Sequence, residues 1–224
     1  MSFHIYFYHW CQILSLLIAV CCYKGLRLYK IEAFIPLLLV TCVIELLGSN
    51  SKYFGWGSNY FIYNMYLLLS PPFYLWLFYR MLHLSGKASY IYFFIAVLCI
   101  LLILVNYYFL QGTNKFNSDS FLFIEFINIV FCSMVLFKMA VIDEPENERI
   151  YLHPFFWISV SLLLFSLGSL VVLGLQEYIA SHQIQMEGKS IYRIIMPVLN
   201  VILYLGYTYA FLLCRKKIKK SLLS

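Results

Sequence analysis

Charge is what this chain has least of. Only 12% of its 224 residues are Asp, Glu, Lys or Arg, while 63% are hydrophobic. Soluble domains carry about 25% charged residues. So few charges cannot cover a water-facing surface, which excludes an ordinary soluble domain and makes lipid the natural solvent. Paired cysteine motifs are also missing. The seven cysteines, Cys11, Cys21, Cys22, Cys42, Cys99, Cys132 and Cys214, are odd in number, show no CxxC spacing and lie in or beside apolar runs. They read as small buried hydrophobes, with neither a disulfide framework nor a zinc site behind them. No GxSxG or HExxH occurs, and the glycines of "GWGSNY" (55–60) are followed by no GK[ST]. No lysine lies between Arg193 and Cys214, so the last apolar run cannot form a retinal Schiff base. The N-terminus lacks a basic leader region and an A-x-A-like cleavage site, and reads as a retained helix.

What is abundant is apolar sequence in long pieces. A bilayer-spanning helix needs about 20 mostly apolar residues. Seven runs meet that description, at roughly 4–23, 31–49, 60–80, 89–110, 119–140, 153–176 and 190–214, with short polar breaks between them. The runs are continuous rather than alternating, and too long for barrel strands. The expected fold is therefore an all-α membrane protein, a single bundle of seven transmembrane helices over residues 1–224, closed by a basic tail at 215–224.

Lysine and arginine set the expected orientation. With seven spans, one side carries Lys24, Arg27, Lys30, Arg80, Lys87, Lys138, Arg149, Arg215, Lys216, Lys217, Lys219 and Lys220. The other carries only Lys52, Lys115, Lys189 and Arg193 of the sixteen. The positive-inside rule puts the C-terminus in the cytoplasm and the N-terminus outside. Acids, such as the cluster Asp143, Glu144, Glu146 and Glu148, weigh little in that rule. The net charge of +6 comes largely from the tail, which reads as a topology anchor, so no nucleic-acid partner is expected. His4 and His9 then fall on the side opposite His83 and His153, and cannot share one metal; no metal site, cofactor or catalytic residue is assigned.

Inside the runs, a few polar residues stand out because each is costly there. A charged group at the bilayer centre costs at least about 2.5 kcal/mol on insertion scales. Glu45 lies about 22 Å along the second helix from Lys30, in its outer half. Asn64 comes early in the third, Asn106 late in the fourth, and Glu125 and Asn128 early in the fifth, on one face. Arg193 opens the seventh, with Asn200 on the same stripe as Pro197, Tyr204 and Tyr207. His9 and Gln12 sit one turn apart in the first. All belong to the outer half, and they converge on an expected outward-open cavity in which Arg193 pairs with Glu45 or Glu125 and the asparagines and tyrosines close the network. Taken singly, each asparagine reads as helix–helix glue. "SPP" (70–72) in mid-span predicts a bend.

Several stretches resemble a known group: "VIELLG", "NYFIYNMYLLL" with "FYRML", "HPFFWISVSLLLFSLGSLVV" and "MPVLNVILYLGYTYAFLLCRKK". These are similar to small, uncharacterised seven-span inner-membrane proteins of Bacteroidota-type bacteria. The resemblance covers nearly the whole chain and implies the architecture and a bacterial plasma-membrane location, not an activity. Members of that group commonly carry an acid in mid-helix 3, where this chain has Pro71, Pro72 and Phe73. The layout also looks like the seven-helix sensor regions of bacterial signalling proteins, an analogy of fold only. The leading functional expectation is a receptor-like or sensor module. It would bind a small-molecule or lipid ligand in the outward pocket and signal to a cytoplasmic or membrane protein partner. Two alternatives stand beside it. One is a small-solute transporter, motivated by a faint echo between "LLGSN…FIYN" and "SLGSL…SIYR" that suggests a 3+1+3 repeat. The other is a structural subunit of a membrane complex. An enzymatic reading would be a lipid-modifying activity using Glu45, Glu125 and His9.

Overall fold

A computed structural model describes residues 4–112, 114–141, 150–175, 182, 185–186 and 189–221, the side chains of 185–192 and 217–221 excepted. Helices occupy every apolar run. They are α1 (Phe7–Cys21), the short α2 (Tyr23–Leu28), α3 (Phe34–Ser49), α4 (Tyr60–Leu82), α5 (Gly86–Val105), α6 (Ser118–Val141), α7 (Pro154–Gly174) and α8 (Ile191–Ser221). The only strand pairing among the described residues is a two-residue antiparallel ladder, Gln185–Met186 with Lys189–Ser190. Helix is the expected outcome for such runs, because a backbone in hydrocarbon must satisfy its own hydrogen bonds.

Among the described residues four segments are long and apolar enough to cross a membrane: Gly86–Leu110, Ser118–Val141, Pro154–Gly174 and Arg193–Lys216. The helices α1 and α3, with 15 and 16 residues, are shorter than the sequence runs suggest. A 23-residue helix, α4, is long enough, but its tyrosines, Asn64 and Arg80 dilute its apolar character. It runs unbroken through Pro71 and Pro72. At the other extreme α8 continues past the expected end at residue 214, since lysine and arginine are good helix formers and complement the negative C-terminal end. The acidic cluster at 143–148, Arg149 and the tail side chains beyond Lys216 lie outside the described residues.

The exterior is apolar. Phe94 is 72% exposed and Phe109 80%, with Ile91, Val97 and Leu101 also facing out. In water such a surface would aggregate. Together with the four spanning-length helices, it defines a helical integral membrane protein.

Packing closes six helices into a ring. Each of α1, α3, α4, α6, α7 and α8 packs on the next in that order, and α8 returns to α1. The fifth helix lies outside the ring against α4, fastened there by the Tyr92 hydroxyl, which donates to the Leu75 carbonyl. Close approach between helices relies on small residues, as is usual in membranes. A Cβ at Gly25 would lie 2.8 Å from the Cys214 carbonyl carbon, and one at Gly206 would lie 2.4 Å from the Ser161 Cβ.

One end of the ring is solid. Phe34 meets Tyr207 and Phe211 edge-on at 5.0 and 5.4 Å, and Phe78 packs on Phe131 at 5.3 Å. Leu26, Ile31, Leu37 and Leu38 fill the remaining space. There α4 ends at His83, which takes a left-handed conformation (φ 48°), and Lys138 Nζ donates to the Leu82 carbonyl at 2.9 Å. That cation caps the orphan carbonyls of one helix from the end of another.

Candidate functional site

The other end of the ring is hollow. A cavity of about 1090 Å³ opens there, beside the turn that joins α3 to α4. Each wall is a stripe at helical spacing. Thr41, Glu45 and Gly48 come from α3, while Tyr63, Tyr66, Ser70 and Tyr74 come from α4. Phe121, Ile124, Glu125 and Asn128 come from α6, and Arg193, Met196, Pro197, Asn200 and Tyr204 from α8. Leu162 and Phe165 of α7 add an apolar wall, and Tyr6, just before α1, and Tyr8, in its first turn, cover one side. The deeper residues, Tyr74 and Tyr204, are almost completely buried and form the floor above the aromatic core.

Two carboxylates face this space. Glu45 accepts from the Tyr8 hydroxyl at 3.4 Å and from the Tyr63 hydroxyl at 3.5 Å, both on the same oxygen, Oε2. The Glu125 side chain keeps only 5% of its surface exposed and accepts from Asn128 Nδ2 at 3.5 Å, one helical turn away. The hydroxyl of Ser166 lies beside it. These three bonds are long for charge-assisted hydrogen bonds, which run at about 2.7–2.9 Å.

The sequence-predicted residues divide into two sets. Glu45, Glu125, Asn128, Arg193 and Asn200 all line the chamber. Asn64, Asn106 and His9 do not. Asn64 is fully buried, donates to the Lys115 carbonyl at 2.9 Å and accepts from Asn117 N–H at 3.0 Å. It fastens α4 to the segment before α6. Asn106 starts the π-helical turn Asn106–Leu110 at the end of α5 and donates to Asn117 Oδ1 and to Ser120 Oγ. Both asparagines thus serve as helix–helix connectors. His9 is buried within α1 and folds back, its Nδ1 accepting from Tyr6 N–H at 3.0 Å to cap the helix. Its ring lies beside the Glu45 backbone, but it is not among the residues that line the chamber with Glu45 and Glu125.

The expected ion pair is also not made. Among the described residues no salt bridge joins Arg193 to Glu45 or Glu125. Arg193 is exposed at the start of α8. Phenols take its place beside Glu45. The tyrosines of α4 are lining positions that a reading by polarity alone underrates. Their signal is present nevertheless, because Tyr63, Tyr66, Ser70 and Tyr74 recur at three- and four-residue spacing on one face. Asn50 is another unforeseen contributor: it accepts from His4 N–H at 2.7 Å and donates to the His4 carbonyl at 3.0 Å, pinning the N-terminal segment to the rim.

The geometry defines a class, a polytopic helical membrane protein with a large polar chamber at one end of its bundle. No protein-family model, no characterised protein and no solved structure matches the chain. Among the described residues no group of three His, Cys, Asp or Glu side chains comes together to hold a metal.

Proposed function

We propose that the chain is a seven-span protein of the bacterial inner membrane that works as a receptor-like or sensor module. Its N-terminus lies outside and its C-terminus in the cytoplasm, in accord with the twelve-to-four distribution of lysine and arginine. A small or lipidic ligand enters the chamber from outside and contacts Glu45, Glu125 and Asn200. Its binding shifts the packing of α8 against α1 and α7, and a cytoplasmic or membrane protein partner reads that shift near the basic tail.

The observation that carries this reading is the chamber itself, together with the solid core beneath it. Ligand sites measure roughly 300–1,000 Å³ and combine apolar walls with a few placed polar groups. The cavity here, at about 1090 Å³, lies just above the top of that range and has that character. Beneath it, Phe34, Tyr207 and Phe211 close the ring, so the chamber favours holding a molecule over conducting one. Native mass spectrometry of gently extracted protein tests the proposal. A retained small molecule or lipid is expected, and it should be lost when Asn200→Trp fills the cavity in a chain that still unfolds cooperatively. Identical spectra for the two chains would sink it.

A transporter is the second reading, and one observation favours it. Excluding α5 leaves α1, α3 and α4 as one trio and α6, α7 and α8 as another, the arrangement a 3+1+3 repeat would make. Solute flux into vesicles, compared with protein-free vesicles, separates the two readings.

A further inference from the structure

We infer that the chamber selects a lipophilic organic cation, an amine or quaternary ammonium group on an apolar body, with Glu45 and Glu125 as its counter-charges. This inference rests on the chamber's being a ligand site and adds the class of ligand.

The argument begins with the two acids. Their protein partners are Tyr8 and Tyr63 for Glu45, and Asn128 and Ser166 for Glu125. Among the described residues neither carboxylate forms an ion pair. Glu125 is nine-tenths buried and more, yet its hydrogen bond from Asn128 Nδ2 is long, at 3.5 Å. Acids within a membrane are costly, and they face a bundle interior or polar cavity where a partner can offset that cost. Here two of them, from different helices, face one space in which the chamber's own cations, Arg193 and Lys52, are paired with neither among the described residues. That leaves the chamber's occupant as the source of positive charge.

The surroundings specify what kind of cation fits. Three ligating side chains of metal type do not gather here among the described residues, so the acids are not arranged as a multidentate metal centre. What gathers instead is aromatic. Tyr63 and Tyr66 stand at the Glu45 end beside Tyr8, whose ring also lies against His9 at 4.1 Å. Phenol faces attract ammonium groups, and quaternary ammonium ligands are commonly recognised by aromatic cages. The opposite wall, from Ile124, Leu162 and Phe165, is apolar and suits a hydrocarbon or aryl body. Arg193 and Lys52 lie at the rim, where they disfavour a second positive charge on the ligand's outer end.

The test uses three benzyl probes: benzyltrimethylammonium, its neutral carbon isostere neopentylbenzene, and the anion phenylacetate. Each is titrated calorimetrically into the full chain in nanodiscs, with empty nanodiscs as baseline. The cation should bind at least about ten-fold more tightly than the other two, as one charge-assisted contact implies. Glu45→Gln and Glu125→Gln should each weaken it by about ten-fold, whereas Asn64→Ala, which lies outside the chamber, should leave its affinity unchanged. Tyr63→Phe provides a second, milder variant that keeps the ring and should retain most of the binding. Equal binding of the cation and its neutral isostere, or unchanged cation affinity in both glutamine variants, overturns the assignment of charge while leaving the chamber a ligand site. Failure of all three probes also overturns it, and the mass spectrum described above then judges the chamber on its own.

Discussion

The two ends of this bundle are built from the same six helices and behave as opposites. At the Phe34–Phe211 end, inward stripes carry aromatic and aliphatic side chains that interdigitate and leave no large space. At the Glu45 end, stripes on the same helices carry acids, amides and phenols, and they enclose about 1090 Å³. The backbone arrangement is shared, so side-chain chemistry alone makes the difference. Apolar groups gain dispersion contacts by meeting and therefore collapse the ring. Polar groups that find too few partners hold it open for something that supplies them.

The solid end should be where stability resides. Phe78→Ala removes a fully buried ring from its contact with Phe131 and should cost about 3 kcal/mol, the largest effect expected. Denaturant titration in mixed micelles measures it; a loss no greater than that of a chamber variant would erase the contrast between the ends. Gly25→Ala comes next, at about 2 kcal/mol, because its new methyl group meets Cys214 backbone that cannot swing aside. A thermal melt matching that of Gly57→Ala, whose Cβ would touch nothing within 4 Å, would show that α2 and α8 do not depend on this approach.

Smaller effects sharpen the division within the polar residues. Asn64→Ala deletes two buried hydrogen bonds and should destabilise by about 1 kcal/mol. It should not change what the chamber retains, and a loss of retained ligand would place Asn64 in the site after all. The smallest shift is expected for Glu125→Gln, within about 0.5 kcal/mol and towards greater stability, since an amide removes the cost of a buried charge. A marked loss of stability would instead make Glu125 a structural member of the bundle.

These contrasts bear on what could be read before any coordinates. Glu45, Glu125, Asn128, Arg193 and Asn200 were legible as a set because polarity in an apolar run is rare and expensive, and depth along a helix follows from residue number. The fates of Asn64 and Asn106 were not legible. Both bind a segment around Asn117 that carries no apolar periodicity and whose path cannot be inferred from spacing. The Arg193 pairing failed for a different reason. Position in sequence placed it at a helix end, but only the structure shows the side chain reaching water.

The residues by themselves determined that the chain is helical and belongs in lipid, because both properties accumulate locally along a run, through apolar content and self-satisfied backbone bonds. Tertiary structure alone decided which polar side chains share a chamber. Each helical residue advances about 100° round the axis, so a modest rotation of any of six helices would turn Glu45 or Glu125 away from the common space. That rotation is set by packing between helices, at places such as Gly25 against Cys214 and Gly206 against Ser161, and no single run contains it.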